Sequence, residues 1–402
     1  MKIWIVNHYA DPPEGGKYLR HFHFAKELIS RGYEVMIFTA STIHNTRMNL
    51  AREGKIVEKN YEGVPYVFVP VRNYSSLKSR AVNMLEYTFR LPKAVKAYYK
   101  PDVIYASSPH PFCLWIAGRL ARRYHARFVA EVRDLWPETF VSMGKFGKKN
   151  PAVRALYALE KSMYKKADAL IFTMPGGKDY LKKRKIYRDE VYYINNGVDL
   201  DEFEKQAKMP CDLREQSGFR VVYTGAMGRI NDLHILLQSA KVLQDKGLPL
   251  NFYLYGGGTE EAALRQYKEE QALSRVHFMG RVEKALIPSI LKCAHVNIIT
   301  GKKIPLYDYG ISFNKMFEYF ASGVPVLSNL NCNYDIIEMY KAGKTVEGDD
   351  VDAMAEGLIY FYNLYEQNRK EYEAYGEQAV LAAEAFDFKK LTDTLENAFR
   401  RK

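Results

Sequence analysis

Nowhere in this chain of 402 residues does an apolar run approach the ~20 residues that span a bilayer, which argues against a membrane-crossing helix. The opening Met-Lys-Ile-Trp-Ile-Val-Asn has an apolar core too short for a secretory signal and reads as a first buried strand, so the expected location is cytoplasmic. Cysteine is scarce. Cys113, Cys211, Cys293 and Cys332 stand far apart with no metal-ligand spacing, which points to reduced thiols rather than a disulfide framework or a zinc site. Paired catalytic carboxylates and a Ser-His-Asp set are not apparent either. Acidic charge is short in one region: between Val71 and Glu190 there are 25 Lys and Arg against 10 Asp and Glu, a surplus that exceeds the whole-chain net of +12. Such asymmetry fits an anionic partner of the N-terminal half, such as lipid headgroups, a diphosphate or nucleic acid, or else a solvated basic face with no partner.

Apolar residues are plentiful at 47%, and the length suits two domains of roughly 200 residues each. Strand and helix patterns alternate. Lys2–Asn7, Glu34–Ala40, Tyr66–Val69, Val103–Ala106, Phe128–Val132, Ala169–Thr173 and Val191–Ile194 read as strands, with an amphipathic helix over Lys17–Arg31 closing the first βαβ unit. The alternation restarts at Phe219–Tyr223 and continues through Asn251–Tyr255, Val276–Phe278, Val296–Thr300 and Val324–Leu327, then ends in helices. This predicts an α/β fold of two doubly wound, Rossmann-like domains, with ligands beyond the carboxyl ends of the strands.

The stretch Asp308 to Ser328 carries the densest chemistry. A helix is expected from about Asn314 to Gly323, capped by Ser312 or Asn314, so that its N–H groups and dipole offer an anion site. Lys315 adds a charge there and Glu318 follows one turn on, a pairing suited to phosphate and a hydroxyl-bearing group. Other loops at strand ends are Gly15-Gly16, where a backbone can approach a ligand, Thr224 to Arg229, whose Arg229 can reach a phosphate bidentately, and Gly256-Gly257-Gly258. The segment Glu131 to Glu138 puts Arg133, Asp134, Trp136 and Glu138 after a buried strand; they read either as a sugar and anion site or as internal ion pairs fixing the loop. His110 is expected in an exposed loop, and Asp199 in a helix cap rather than a metal site.

Serine, Asn314, Lys315, then Glu318-Tyr319, two small residues, Gly323 and Pro325-Val326 resemble the donor-binding segment of family 4 retaining glycosyltransferases. Asp134-Leu-Trp-Pro-Glu138 resembles the bacterial surface-polysaccharide branch, of WbuB type. The resemblance runs through nearly the whole chain. It implies the GT-B architecture, two Rossmann-like domains facing across a cleft: an acceptor-side domain at 1–200, a linker at 201–217, a nucleotide-sugar domain at 218–385, and a last helix, 386–402, crossing back to the first. It further implies retaining transfer from a nucleotide sugar, UDP ahead of GDP, with no metal and no other cofactor. Arg229, Lys315 and Asp134 would serve catalysis. Gly15, Gly16, Gly257, Arg281, Val282, Ser312, Asn314 and Glu318 would hold the donor, with Glu318 on the ribose. The family's first glutamate of two falls on Gly310. Lys315 stands in for a lysine that many members carry just after the position of Arg229.

The expected acceptor is lipid-linked or membrane-near, in surface-polysaccharide or lipopolysaccharide assembly. Basic, partly aromatic stretches at 77–100 and 143–166, including Lys145, would meet an anionic membrane from its cytoplasmic face. Alternatives are a nucleotide-sugar 2-epimerase of the same fold and a nucleic-acid-binding protein; the one-sided basic helices argue against nucleic acid as partner.

Overall fold

A computed structural model describes residues 1–44, 46, 48–51, 54–144 and 146–400. The chain forms two compact units, Met1–Asn195 with Phe388–Lys402, and Asn196–Asp387.

The first unit is an eight-stranded sheet in the order β3-β4-β2-β1-β5-β6-β7-β8. Its strands are β1 (Lys2–Val6), β2 (Glu34–Ala40), β3 (Val57–Tyr61), β4 (Val64–Val69), β5 (Val103–Ser107), β6 (Arg127–Val132), β7 (Ala169–Phe172) and β8 (Val191–Tyr193). All pairs are parallel except β3 with β4. Ile3, Trp4, Ile5 and Val6 are all fully buried, as a strand covered by helices on both faces requires. The edge strand β3 goes beyond the sequence expectation. Its Val-Glu-Lys-Asn-Tyr alternates in burial and joins β4 through Glu62 and Gly63, both at positive φ, the conformation of a tight hairpin turn.

Three helices, Leu77–Ala94, Pro111–Tyr124 and Pro151–Lys166, pack side by side, while Phe388–Phe399 packs on helix Arg20–Ser30. There His23 stacks on Phe388 at 4.6 Å, Arg31 donates to Asp393 at 2.8 Å, and Arg127 donates to the carbonyl of Ala398 at 2.9 Å. Helix Arg20–Ser30 starts later than the expected Lys17. The Asp11 carboxylate accepts from the N–H groups of Lys17 and Tyr18 and keeps them in the preceding loop.

The second unit is a six-stranded parallel sheet, β11-β10-β9-β12-β13-β14. It comprises β9 (Phe219–Ala226), β10 (Leu250–Gly257), β11 (Val276–Gly280), β12 (Val296–Ile299), β13 (Val326–Ser328) and the three-residue β14 (Gly343–Thr345), which has no counterpart in the sequence reading. Gly343 is obligatory there, since a Cβ would sit 1.8 Å from the Val326 carbonyl oxygen. Residues 201–217, expected as a linker, belong to this unit and carry helix Leu200–Gln206, whose Glu204 pairs with Lys292 at 2.7 Å.

Both sheets reverse their winding once, between β1 and β5 in the first and between β9 and β12 in the second. Loops at the carboxyl ends diverge there and leave room for a ligand.

Candidate functional site

At the reversal in the second unit, three glycines let two loops interlock. Gly225 and Gly256 have φ of +147° and +131°, and a Cβ on Gly256 would lie 1.8 Å from the Gly225 oxygen. Gly258 is as tightly placed, 2.3 Å from the Met227 oxygen, and Met227 N donates to Gly257 O at 3.1 Å. Internal packing therefore accounts for Gly256 and Gly258. Gly257 differs, because the space a Cβ would take is bordered by Glu261 and, at 3.2 Å, by the Arg281 guanidinium. Val282 follows, half-buried.

Lys315 reaches into the same place. Its Nζ lies 4.2 Å above the centre of the Tyr223 ring and 3.6 Å from where a Gly225 Cβ would be. Burial pushes its ammonium down to about 7, so the charge is held by a ring face with no carboxylate within ion-pair range among the described residues. Arg229 is exposed in the loop after β9, and its side chain has no hydrogen-bond or ion-pair partner among the described residues. The loop is braced from below: Asn231 donates to Ala226 O at 2.6 Å, and Thr300, after β12, donates to Asn231 O at 2.6 Å.

Helix Asn314–Ala321 is fixed to β9 by Tyr319, whose hydroxyl accepts from Thr224 N at 2.9 Å and donates to Thr224 O at 3.1 Å. The expected cap is not there. Phe313 is the N-cap residue and no side chain accepts from the first turn. Ser312 turns instead to Asn196, its Oγ accepting from Asn196 N at 3.4 Å and its carbonyl from Asn196 Nδ2 at 2.7 Å. Asn314 is exposed, and the helix presents its first N–H groups without a capping side chain. Glu318 is half-buried one turn beyond Lys315. Gly310 has φ +93° and ψ 171°, a region essentially closed to residues with a Cβ, so a glutamate at this position would be strained.

The corresponding edge of the first unit is different in kind. Gly15 has φ +75°, and a Cβ on Gly16 would lie 2.2 Å from the Pro12 oxygen, so this pair too serves its own loop. Glu131, at the end of β6, is fully buried and gathers Arg20 at 2.7 Å, His21 at 3.1 Å and the Tyr105 hydroxyl at 2.6 Å. Burial opposes its charge, but Arg20 and His21 hold the carboxyl well below the usual range. This is an internal ion pair, built by residues 111 positions apart. Glu138 also turns inward, hydrogen-bonded by Tyr157, and Trp136 meets Phe140 edge-on at 4.5 Å. The Glu138 carboxylate is therefore not offered as the sequence reading expected, while Trp136 is half-buried.

Asp134 does reach solvent. Protein surrounds it closely enough that desolvation raises its carboxyl above the ordinary value, against the charges of Arg133 and Arg80.

His110 corrects another expectation. It is fully buried, its Nε2 hydrogen-bonded at 3.0 Å to Nδ1 of His8, whose Nε2 bonds Asn83 at 2.7 Å. His8 and His44 carried no signal in the sequence, being single residues in unrelated segments, and Arg80 stood out only as one cation of the basic stretch 77–100. Asp199 caps helix Leu200–Gln206 by accepting from Glu202 N at 3.0 Å, as expected. Among the described residues no group of three His, Cys, Asp or Glu is placed to hold a metal ion.

Of the basic stretches, helix Leu77–Ala94 buries Tyr87 and Leu91, and Glu86 neutralises Arg72 at 2.5 Å. It leaves Leu77, Val82, Leu85 and Phe89 outward, with Leu77 85% and Phe89 68% exposed. Helix Pro151–Lys166 puts Val153 and Met163 inward and its lysines outward; Lys145 lies outside the described residues. No helix among the described residues is long and apolar enough to cross a membrane.

Comparison with known proteins places both units. Residues 21–202 match Glycosyltransferase Family 4, and residues 218–363 match Glycosyl transferases group 1. A relative named for colanic acid biosynthesis, the glycosyltransferase WcaL of Escherichia coli (strain K12), is 24% identical over 190 residues, spanning 46% of this chain and 45% of that one. In structure, WaaG, a glycosyltransferase involved in lipopolysaccharide biosynthesis, is similar with a TM-score of 0.69 at 14% identity over the whole of both chains. HepE (Alr3699) of Anabaena, solved in complex with UDP, has a TM-score of 0.70 at 15% identity over 99% of each chain.

Proposed function

We propose that this chain, a glycosyltransferase of GT-B fold made of a family 4 domain followed by a group 1 domain, moves a sugar from a UDP-sugar to a lipid-linked or membrane-near saccharide acceptor. The setting is surface-polysaccharide or lipopolysaccharide assembly, as in the WbuB-type branch. The observation that carries the reading is the juxtaposition of Lys315, the interlocked glycine loops and the Arg281 guanidinium at the winding reversal of the second unit, with Arg229 on the same loop. A diphosphate there meets Lys315 and Arg229, which no carboxylate among the described residues pairs with.

The reaction breaks the bond from the anomeric carbon to the diphosphate oxygen, and negative charge grows on the leaving UDP. Arg229, Lys315 and the open N–H groups at Asn314 stabilise that charge, so the reaction requires no metal. The acceptor oxygen attacks from the face the diphosphate leaves, its proton passing to a diphosphate oxygen, which retains the anomeric configuration. Gly257, Arg281 and Val282 border the base, and Glu318 accepts from the ribose hydroxyls. Ser312 holds the turn into the helix, and Asp134 orients sugar hydroxyls.

The basic helices and the apolar ridge of helix Leu77–Ala94 support peripheral binding to the inner face of the cell membrane. HepE's complex with UDP and the names of WcaL and WaaG favour the donor and the setting.

The test is thermal unfolding with UDP, GDP and their sugars. A ligand at 100 times its dissociation constant adds about 2.7 kcal/mol. UDP should raise the midpoint selectively, and Glu318→Ala should remove most of the shift. A GDP-selective response would change the base, and no response to any nucleotide would sink the donor assignment.

A further inference from the structure

We propose that the first unit contains a phosphate-binding site centred on Arg80, and that the acceptor presents a phosphate or diphosphate next to the sugar being extended. The inference rests on the transfer reading above and names the chemical class of its acceptor.

Arg80 lies in the first turn of helix Leu77–Ala94, which Ser76 caps. Half-buried, it donates from Nε to the Tyr9 hydroxyl at 3.1 Å, and its guanidinium lies 5.4 Å from the centre of the Tyr9 ring. The two terminal nitrogens have no hydrogen-bond partner and no carboxylate within ion-pair range among the described residues. A guanidinium stripped of part of its water, with Asp134 acting on it only from beyond ion-pair range, gains from a bound anion.

Its surroundings sharpen the point. His44 and His110 are pushed down to about 4 and about 3, first by burial and then by the charge of Arg80, so both are neutral at physiological pH. The nearby Asp11 carboxylate is occupied by the N–H groups of Lys17, Tyr18 and His44. Asp134 is the remaining acid, and it feels Arg133 as well as Arg80. Aromatic rings pack behind it: His44 lies against Tyr9 at 4.1 Å, both buried, and 5.5 Å from Tyr18, the one of the three rings that is partly exposed.

These groups come from different loops at one edge of one sheet. Tyr9 follows β1, His44 follows β2, His110 follows β5 and Asp134 follows β6, which puts the basin at the winding reversal of the first unit. The arginine fork matches phosphate geometry, whereas an uncharged saccharide would leave it unpaired. A diphosphate-linked lipid and a soluble sugar phosphate share this chemistry.

Titration calorimetry of the protein saturated with UDP separates the cases. Decyl diphosphate should bind wild type at least roughly tenfold more tightly than Arg80→Ala, with Arg80→Lys between them and Lys246→Ala, an exposed control, unchanged. Decanol should show no dependence on Arg80. Decyl diphosphate binding more tightly than inorganic pyrophosphate identifies a lipid-linked source; equal binding identifies a soluble one. Should Arg80→Ala melt early, Arg80→Gln supplies the same comparison. Equal affinity in folded wild type and variant overturns the proposal, as does loss of decyl diphosphate binding when UDP is added. If UDP fails to bind, the donor reading falls, while the Arg80 comparison, run without UDP, still decides this one.

Discussion

Lys315 shows what a single buried charge does to the behaviour of a site. In the free protein its ammonium is pushed to about 7 by burial, against an ordinary 10.5. An unfolded chain therefore binds the additional proton between about pH 7 and 10.5, and folding stability gains from this group as pH rises through that window. Ligand binding has the opposite sign. A diphosphate prefers the charged lysine, so UDP affinity should be flat below pH 7 and fall above it, by up to tenfold per pH unit until the pKa of the complex is reached. Calorimetric titrations from pH 6 to 9 check this, and Lys315→Met should flatten the profile; an unchanged profile in that variant would remove Lys315 from the diphosphate. Lys315, Glu318 and the glycine loops were legible in sequence because each sits in a local pattern with its own spacing. The buried Glu131 cluster and the Arg80 basin were not, since their members meet only through strand order, across separations such as 111 residues.

Among elements, the helix Leu77–Ala94 combines two jobs that the sequence stretch blurs together. Its inward face, with Tyr87 and Leu91, is core, and its outward ridge of Leu77, Val82, Leu85 and Phe89 is exposed, with no covering element among the described residues. The interleaved aromatics and cations were visible along the chain, but which ring pointed outward depended on the sheet beneath. The double change Leu85→Ser with Phe89→Ser should lower binding to vesicles with a third anionic lipid by at least roughly tenfold, since two apolar side chains leave the interface. Co-sedimentation measures it, and the UDP-induced thermal shift should stay as in wild type. Retained vesicle binding would move the membrane contact to the lysines of Pro151–Lys166. The elements that sequence reading missed, β3 and β14, are short edge strands whose polar or three-residue sequences bury too little to leave a periodic trace.

For the whole molecule, the alternation of strand and helix sufficed to read two doubly wound sheets and the family resemblance implied the return of the last helix, while the place of residues 201–217 in the second unit needed three dimensions. The helix Phe388–Phe399 buries Phe388, Leu391, Leu395 and Phe399 in the first unit. Each such side chain contributes about 1.5–3 kcal/mol, and together they rival the about 5–15 kcal/mol by which a domain is stable. Ending the chain after Asp387 should therefore unfold the first unit, seen as lost far-UV ellipticity and rapid proteolysis within residues 1–195, while the second unit still responds to UDP. A truncated protein that melts as wild type does would show that the last helix is dispensable. The same arrangement fixes an order of events at the ribosome. At ~5–20 residues per second, the groove on helix Arg20–Ser30 stays open on the order of 10 to 40 seconds while the intervening unit is made. Phe24 and its neighbours wait through that interval as an uncovered apolar surface, which makes the nascent first unit, not the finished enzyme, the form most in need of a chaperone.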